Sequence, residues 1–184
     1  MSPLLTSCRL DGSGTESVLL VEVPAAEAAV GWYREHLDAN ASLGIPAHVT
    51  VLSPFMPPQM ISPIVLAKLQ RVFASMRRFH LQLAATGWFG EDVLWLAPTD
   101  PAPFRALTHS VYEAFPEFPP FGGQHEVLIP HLTIGHGHPV NALRAAEISI
   151  LAQLPIEADA ATVTLMTEQS AGGQWAKAAT FNLA

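Results

Sequence analysis

The stretch Gly-Ile-Pro-Ala-His-Val-Thr-Val-Leu-Ser-Pro-Phe, residues 44 to 55, has a shorter echo in Ile-Pro-His-Leu-Thr-Ile-Gly, residues 129 to 135. Each contains a short β-branched run that opens on histidine and carries threonine two places later. Side chains at i and i+2 of a strand share a face. His48 and Thr50 therefore point one way and Val49 and Val51 the other, and His131 and Thr133 are placed likewise. The histidines stand 83 residues apart, close to half of the 184-residue chain. That spacing directs attention to an internal duplication.

The remaining periodicities extend this reading outward. They predict strand 18–23, helix 24–38, strand 48–52, helix 62–77 and strand 79–85. A second series follows: strand 93–97, helix 101–115, strand 131–135, helix 141–154 and strand 161–167. A last strand lies near 175–183, beyond the Gly172-Gly173 turn. Ser62-Pro63 and Asp100-Pro101 are helix starts. Each series sets its H-x-T strand between two helices. The expected architecture is α+β and bilobal, with pseudo-twofold duplicated sheet-and-helix units around a central cleft. Residues 1–184 form a single domain with approximate halves 17–90 and 91–184.

Composition limits what such a domain does. Hydrophobic residues make up 49% of the chain, enough to fill a core, and Lys+Arg 9 against Asp+Glu 16 gives a formal net charge of -7. Non-specific binding of long nucleic acid and attachment to anionic membranes both need a surplus of Lys and Arg, so both are excluded as expectations. Residues 39–67 lack any Asp, Glu, Lys or Arg, but prolines at 46, 54, 57, 58 and 63 mark them as strand and loop rather than a spanning helix. The lone Cys8 forms no intrachain disulfide, and a cytoplasmic, monomeric protein is expected.

Two imidazoles and two hydroxyls lining one cleft suit a single tetrahedral phosphate. One histidine takes a proton from the attacking oxygen and the other gives one to the leaving oxygen, while the threonines hold the non-bridging oxygens. Imidazole titrates near pH 6.5, so both forms are accessible near neutrality. The competing reading makes them two buried histidines bonded to backbone, with threonines chosen for strand propensity.

Residues 44–55 and 129–135 together resemble the paired signature of the 2H phosphoesterases, in particular the bacterial 2′-5′ RNA ligase-like branch. The resemblance extends to PPFGG at 119–123 and VLWLAP at 93–98. It implies a bilobal α+β fold and metal-independent opening of ribose 2′,3′-cyclic phosphates, with no cofactor. It also implies His48 and His131 as the acid/base pair, and Thr50 and Thr133 as phosphate-binding residues. The implied partner is a nucleotide or short RNA with a 2′,3′-cyclic phosphate end. Ligation of 2′-5′ ends, 2′-5′ phosphodiester cleavage or nucleotide binding without turnover would use the same cleft. The family often has an aromatic residue where Ser53 stands, and basic residues for longer RNA are not evident in the sequence.

Phe55 and Phe121 are the candidates for stacking on a nucleobase, with core packing the competing role for Phe55. Trp88, Trp95 and Trp175 are read as core or rim. His131, His136 and His138 invite a metal reading, but strand parity turns His136 away from His131, so no metal site is expected. His125, in the loop before the second motif, has only proximity in its favour.

Overall fold

The computed structural model describes residues 15–123 and 128–184; Cys8 and His125 lie outside them. Among the described residues, eight strands form two four-stranded antiparallel sheets. They are β1 (Ser17–Glu22), β2 (His48–Leu52), β3 (Phe79–Phe89), β4 (Val93–Pro98), β5 (Leu132–His136), β6 (Ile156–Ala160), β7 (Thr162–Glu168) and β8 (Trp175–Asn182). One sheet runs β2-β1-β7-β8 and the other β5-β4-β3-β6. The helices are α1 (Glu27–Leu37), α2 (Ala39–Ser42), α3 (Pro63–Ala74), α4 (Ala102–Ala114) and α5 (Val140–Leu151).

The near-continuous apolar run of β1 reflects its place. It lies between β2 and β7, and Leu19 and Val21 enter the main core while Val18 and Leu20 pack into a smaller cluster with Ile45 and Met166. With both faces covered, alternation disappears. Helix α3 starts as expected: Ser62 Oγ accepts from the Val65 amide at 3.4 Å and Pro63 occupies the first turn. Asp100 Oδ1 accepts from the Ala102 amide at 2.9 Å at the start of α4. Leu69 and Phe73 of α3, Phe104, Leu107 and Val111 of α4, and Leu143, Ala146 and Ile150 of α5 are buried. Burying each of the larger of these side chains contributes about 1.5–3 kcal/mol before entropy is counted. Helices α3 and α4 cover the first sheet, against β8 and β2, and α1 and α5 cover the second, against β5 and against β3 and β4.

Several elements differ from the sequence reading. Helix 24–38 is a 3₁₀ turn over Pro24–Ala26 followed by α1, and the one-turn α2 follows after Asp38. Strand β3 runs to Phe89. Strand β6 is not visible in the sequence, because Glu157 and Asp159 of this edge strand face solvent and leave little apolar signal. The two sheets map onto each other as β2-β1-β7-β8 onto β5-β4-β3-β6, yet they do not divide at the middle of the chain. Strand β3 joins the second sheet, and the chain returns to the first only at β7. Residues 39–67 hold α2, β2, a 3₁₀ turn at Pro58–Met60 and the start of α3. No helix among the described residues is long and apolar enough to cross a membrane.

Candidate active site

Strands β2 and β5 are the edge strands at which the two sheets meet, and they approach to within 8 Å, Cα to Cα. The H-x-T motifs therefore face each other across the pseudo-twofold relation. Their backbones repeat in detail. Thr50 pairs with Leu20 and Leu52 with Leu19, so Val51 is an extra residue. Thr133 pairs with Trp95 and Gly135 with Leu94, so Ile134 is the matching extra one. Each motif strand thus has a one-residue bulge directly after its threonine, a device that re-aims the chain at a strand end. One boundary is corrected: His131 lies just before β5, whereas His48 is the first residue of β2.

Both imidazoles are held in the same way. His48 Nδ1 lies 2.7 Å from the Pro46 carbonyl and His131 Nδ1 lies 2.7 Å from the Ile129 carbonyl. A carbonyl only accepts, so each Nδ1 carries the hydrogen and donates it. In the neutral ring each Nε2 is then a bare acceptor. Thr50 and Thr133 are half-buried on the same strand faces, and neither hydroxyl has a protein partner among the described residues.

The surroundings of the two rings differ. Burial pushes the His48 pKa down to about 4; the Arg34 charge and His131 add to this, while the Pro46 carbonyl and Asp38 oppose it. Burial also lowers His131, against the pull of the Ile129 carbonyl. Across the β1–β2 ladder Glu22 stands opposite His48. Its Oε1 accepts from Thr164 Oγ1 at 2.6 Å and pairs with Lys177 Nζ at 2.7 Å. Burial raises the Glu22 carboxyl, but these two hydrogen bonds outweigh it and hold the group below the usual carboxylate range. The other wall is aromatic. His131 meets Phe89 edge-on at 5.0 Å between centroids and Trp95 at 5.8 Å, and the two aromatic rings lie 5.0 Å apart.

The sequence candidates divide accordingly. His48, Thr50, His131 and Thr133 are brought together. Phe55 is a correction: it is 2% exposed, with its ring against Phe115 and Phe118 at 5.3 and 5.8 Å, so it has no face to offer a base. Phe121 lies in the turn at Pro120–Gly123, half-buried and with φ 53°, and its amide donates to the Ser53 carbonyl at 2.8 Å, at the exit of β2. The parity argument for His136 does not hold as made, because the bulge at Ile134 resets the alternation; among the described residues no three His, Cys, Asp or Glu groups converge as metal ligands. Glu22, Lys177 and Phe89 escaped the sequence reading, which gave Trp95 only as core or rim. The place of Trp95 between inward-facing Leu94 and Leu96 gives its face, but its neighbour on β5 is known only once the strands are paired.

A family model described as the 2′-5′ RNA ligase superfamily matches residues 21–172. No curated protein matches the chain. Several solved structures share its fold. Escherichia coli LigT complexed with 3′-AMP is 17% identical with a TM-score of 0.59, the match covering 92% of this chain and 98% of that one. LigT complexed with NADP+ is 18% identical with a TM-score of 0.58, covering 94% and 99%. TT0787 of Thermus thermophilus is 17% identical with a TM-score of 0.59, covering 91% and 97%.

Proposed function

Because this chain belongs to the 2′-5′ RNA ligase superfamily, we propose that it is a phosphodiesterase that opens ribose 2′,3′-cyclic phosphates to 2′-phosphates by two-histidine acid/base catalysis, without a metal. The observation that carries the reading is the matched pair of imidazoles. Each has Nδ1 committed to a carbonyl two residues back, leaving Nε2 for proton transfer, and each has a threonine on its strand face.

In the proposed reaction the Nε2 of one neutral histidine takes a proton from water as the water oxygen attacks phosphorus. The P–O3′ bond breaks, and the Nε2 of the other, protonated histidine gives its proton to the departing O3′. The hydroxyls of Thr50 and Thr133 donate to the non-bridging oxygens. Each proton transfer is worth about 10²–10⁴-fold.

The substrate is a nucleotide or a short RNA with a cyclic phosphate end. The net charge of -7 favours a locally held terminal phosphate over a long phosphate track. LigT complexed with 3′-AMP, NADP+ and ATP supports nucleotide-sized ligands on this fold. A cytoplasmic location and a monomeric state belong to the same proposal, the latter because one chain carries both motifs.

The test is a panel of 2′,3′-cyclic mononucleotides, short RNAs with cyclic ends and 2′-5′ dinucleotides, with the product phosphate position assigned. Cyclic substrates are expected to yield 2′-phosphates, and His48→Ala or His131→Ala alone to remove most of the turnover. Wild-type turnover by both variants would overturn the assignment.

A further inference from the structure

Helices α1 and α4 each reach both sheets. Helix α1 packs against β5, and the approach is close: a Cβ at Gly135 would lie 2.9 Å from Leu37 Cβ and 3.2 Å from the Leu37 carbonyl oxygen. From the same helix Arg34 Nη2 donates to the Ile45 carbonyl at 3.2 Å, on the segment that enters β2. Helix α4 does the converse. It packs against β2, where Thr108 Oγ1 donates to the Val51 carbonyl at 2.6 Å, and Arg105 Nε donates to the Leu128 carbonyl at 3.0 Å, on the segment that enters β5.

Ile45 and Leu128 occupy the same place in the duplicated order, three residues before His48 and His131. The next carbonyls along, those of Pro46 and Ile129, are the ones that receive Nδ1. Arg34 sits in the last turn of α1 and Arg105 in the first turns of α4, so two unrelated helix positions each set an arginine N–H on the equivalent carbonyl, Arg34 from a buried side chain and Arg105 from an exposed one. In each lobe the arginine fixes one carbonyl and the imidazole is tied to its neighbour, with Pro46 or Pro130 stiffening the short segment between helix contact and strand.

We propose that Arg34 and Arg105 are positioning residues that act through these carbonyls on the tautomer and aim of His48 and His131. Each helix rests on one motif strand and holds the entry segment of the other, so the crossed pair also sets the gap between the two rings. The proposal rests on the reading of His48 and His131 as the proton-transfer pair, since aim and gap matter only if both act on one substrate.

The experiment uses Arg105→Met, Arg105→Lys and the double variant Arg34→Met/Asp38→Asn, in which removal of the Asp38 charge avoids leaving it buried beside an absent partner. Imidazole nitrogen chemical shifts report the tautomer of each histidine, and kcat and KM are measured on a 2′,3′-cyclic nucleotide. For Arg105→Met the His131 nitrogens are expected to move toward a mixture of tautomers while those of His48 stay. The same variant should lose about 10-fold in kcat at little-changed KM, and Arg105→Lys, which keeps a cationic donor, should recover part of it. The double variant should reverse the pattern, moving His48 and sparing His131. A folded Arg105→Met with wild-type His131 shifts and wild-type kcat would overturn the proposal. Should the wild-type chain not turn over cyclic nucleotides, the proposed function fails, and the chemical shifts alone decide the positioning role.

Discussion

The indole of Trp95 lies across Gly87 in the place where a side chain at residue 87 would begin: a Cβ there would overlap Cζ2 and Cη2 of the ring. Gly87 is the cross-strand partner of Trp95, and the same indole reaches His131 at the entry to its other neighbour strand. A missing side chain on β3 thus seats the aromatic wall that backs one of the two candidate-site imidazoles. Gly87→Ala must displace that ring or the strand beneath it. The expected cost is about 1–3 kcal/mol of stability from overpacking, with a shifted tryptophan emission and reduced turnover. Chemical denaturation, fluorescence and a cyclic-nucleotide assay check it. An alanine variant with wild-type emission and activity would show that the wall has no part in the site.

A pH profile follows from the two half-buried rings. Under the proposed two-histidine mechanism the base must be neutral and the acid protonated in the free protein, so kcat/KM is expected to be bell-shaped. With His48 lowered to about 4 and His131 also lowered from 6.5, both limbs move to the acid side, and the optimum falls below pH 6.5. A bound phosphodiester anion favours the protonated rings, so the kcat profile should lie at higher pH than the kcat/KM profile. The two limbs belong to the coupled pair rather than to single residues. An optimum above pH 7.5 for kcat/KM contradicts this electrostatic account.

Stability should carry the same signature. In the unfolded chain His48 takes up its proton near pH 6.5, and in the folded protein only near 4. Between these values the unfolded state holds more protons, so stability falls as pH is lowered from about 6.5 to about 4 and this contribution then levels off. His131 acts in the same direction. His80 is raised by Asp159 and then Glu157, so its contribution is constant in this window and is lost only as pH rises above 6.5; it is exposed and screened. Glu22 and Glu147, both lowered, add their own loss only below about pH 4.5. Thermal melts of wild type and His48→Gln across pH 4–7 are expected to diverge, the variant showing the shallower decline.

A fourth expectation separates stability from activity. Trp88 Nε1 and Thr86 Oγ1 each donate to Glu147 Oε1 at 2.8 Å, and Arg144 Nη1 donates to Oε2 at 2.8 Å while its guanidinium lies over Trp88. Thr86 and Trp88 flank Gly87 and point to the opposite face of β3, toward α5. Glu147→Ala is expected to cost about 1–3 kcal/mol, the price of unpaired donors at a helix–sheet contact. Turnover of the folded protein should be unchanged, because the clamp lies behind the sheet from the histidines. A variant of wild-type stability would show that water replaces the carboxylate without loss.

Behind His48 the buried pair Arg34–Asp38, at 3.0 Å and with both side chains 3% exposed, makes a further prediction. Arg34→Met alone leaves an unpaired buried carboxylate and is expected to cost about 3–5 kcal/mol. Adding Asp38→Asn removes the charge and should return a large part of that loss. Urea denaturation of the two variants side by side measures the difference, and equal stabilities would mean that Asp38 does not stay charged without Arg34.

Much of this site was legible in the chain itself. The i, i+2 spacing placed His48 with Thr50 and His131 with Thr133, and the flanking helix signals at Ser62 and Asp100 hold in the structure. The aromatic candidates fared less well. Phe55 is adjacent in sequence to the first motif but enters the core among Phe115 and Phe118, because a residue just past a strand can turn either way and the apolar side offered more burial. Trp95, far ahead of the second motif in sequence, became its neighbour.

Local periodicity and chain punctuation decided what the sequence by itself could decide: which residues form strands, which face each side chain takes, and that two equivalent motifs exist. Those quantities depend on backbone geometry over a few residues, which nearby side chains fix. Strand pairing depends instead on burying apolar surface between segments far apart in the chain, and no short window contains that information. The tertiary structure alone therefore brought β2 and β5 edge to edge, sent β3 to one sheet and β7 to the other, put Glu22 with Lys177 beside one imidazole and Trp95 with Phe89 beside the other, and set Arg34 and Arg105 on matching carbonyls.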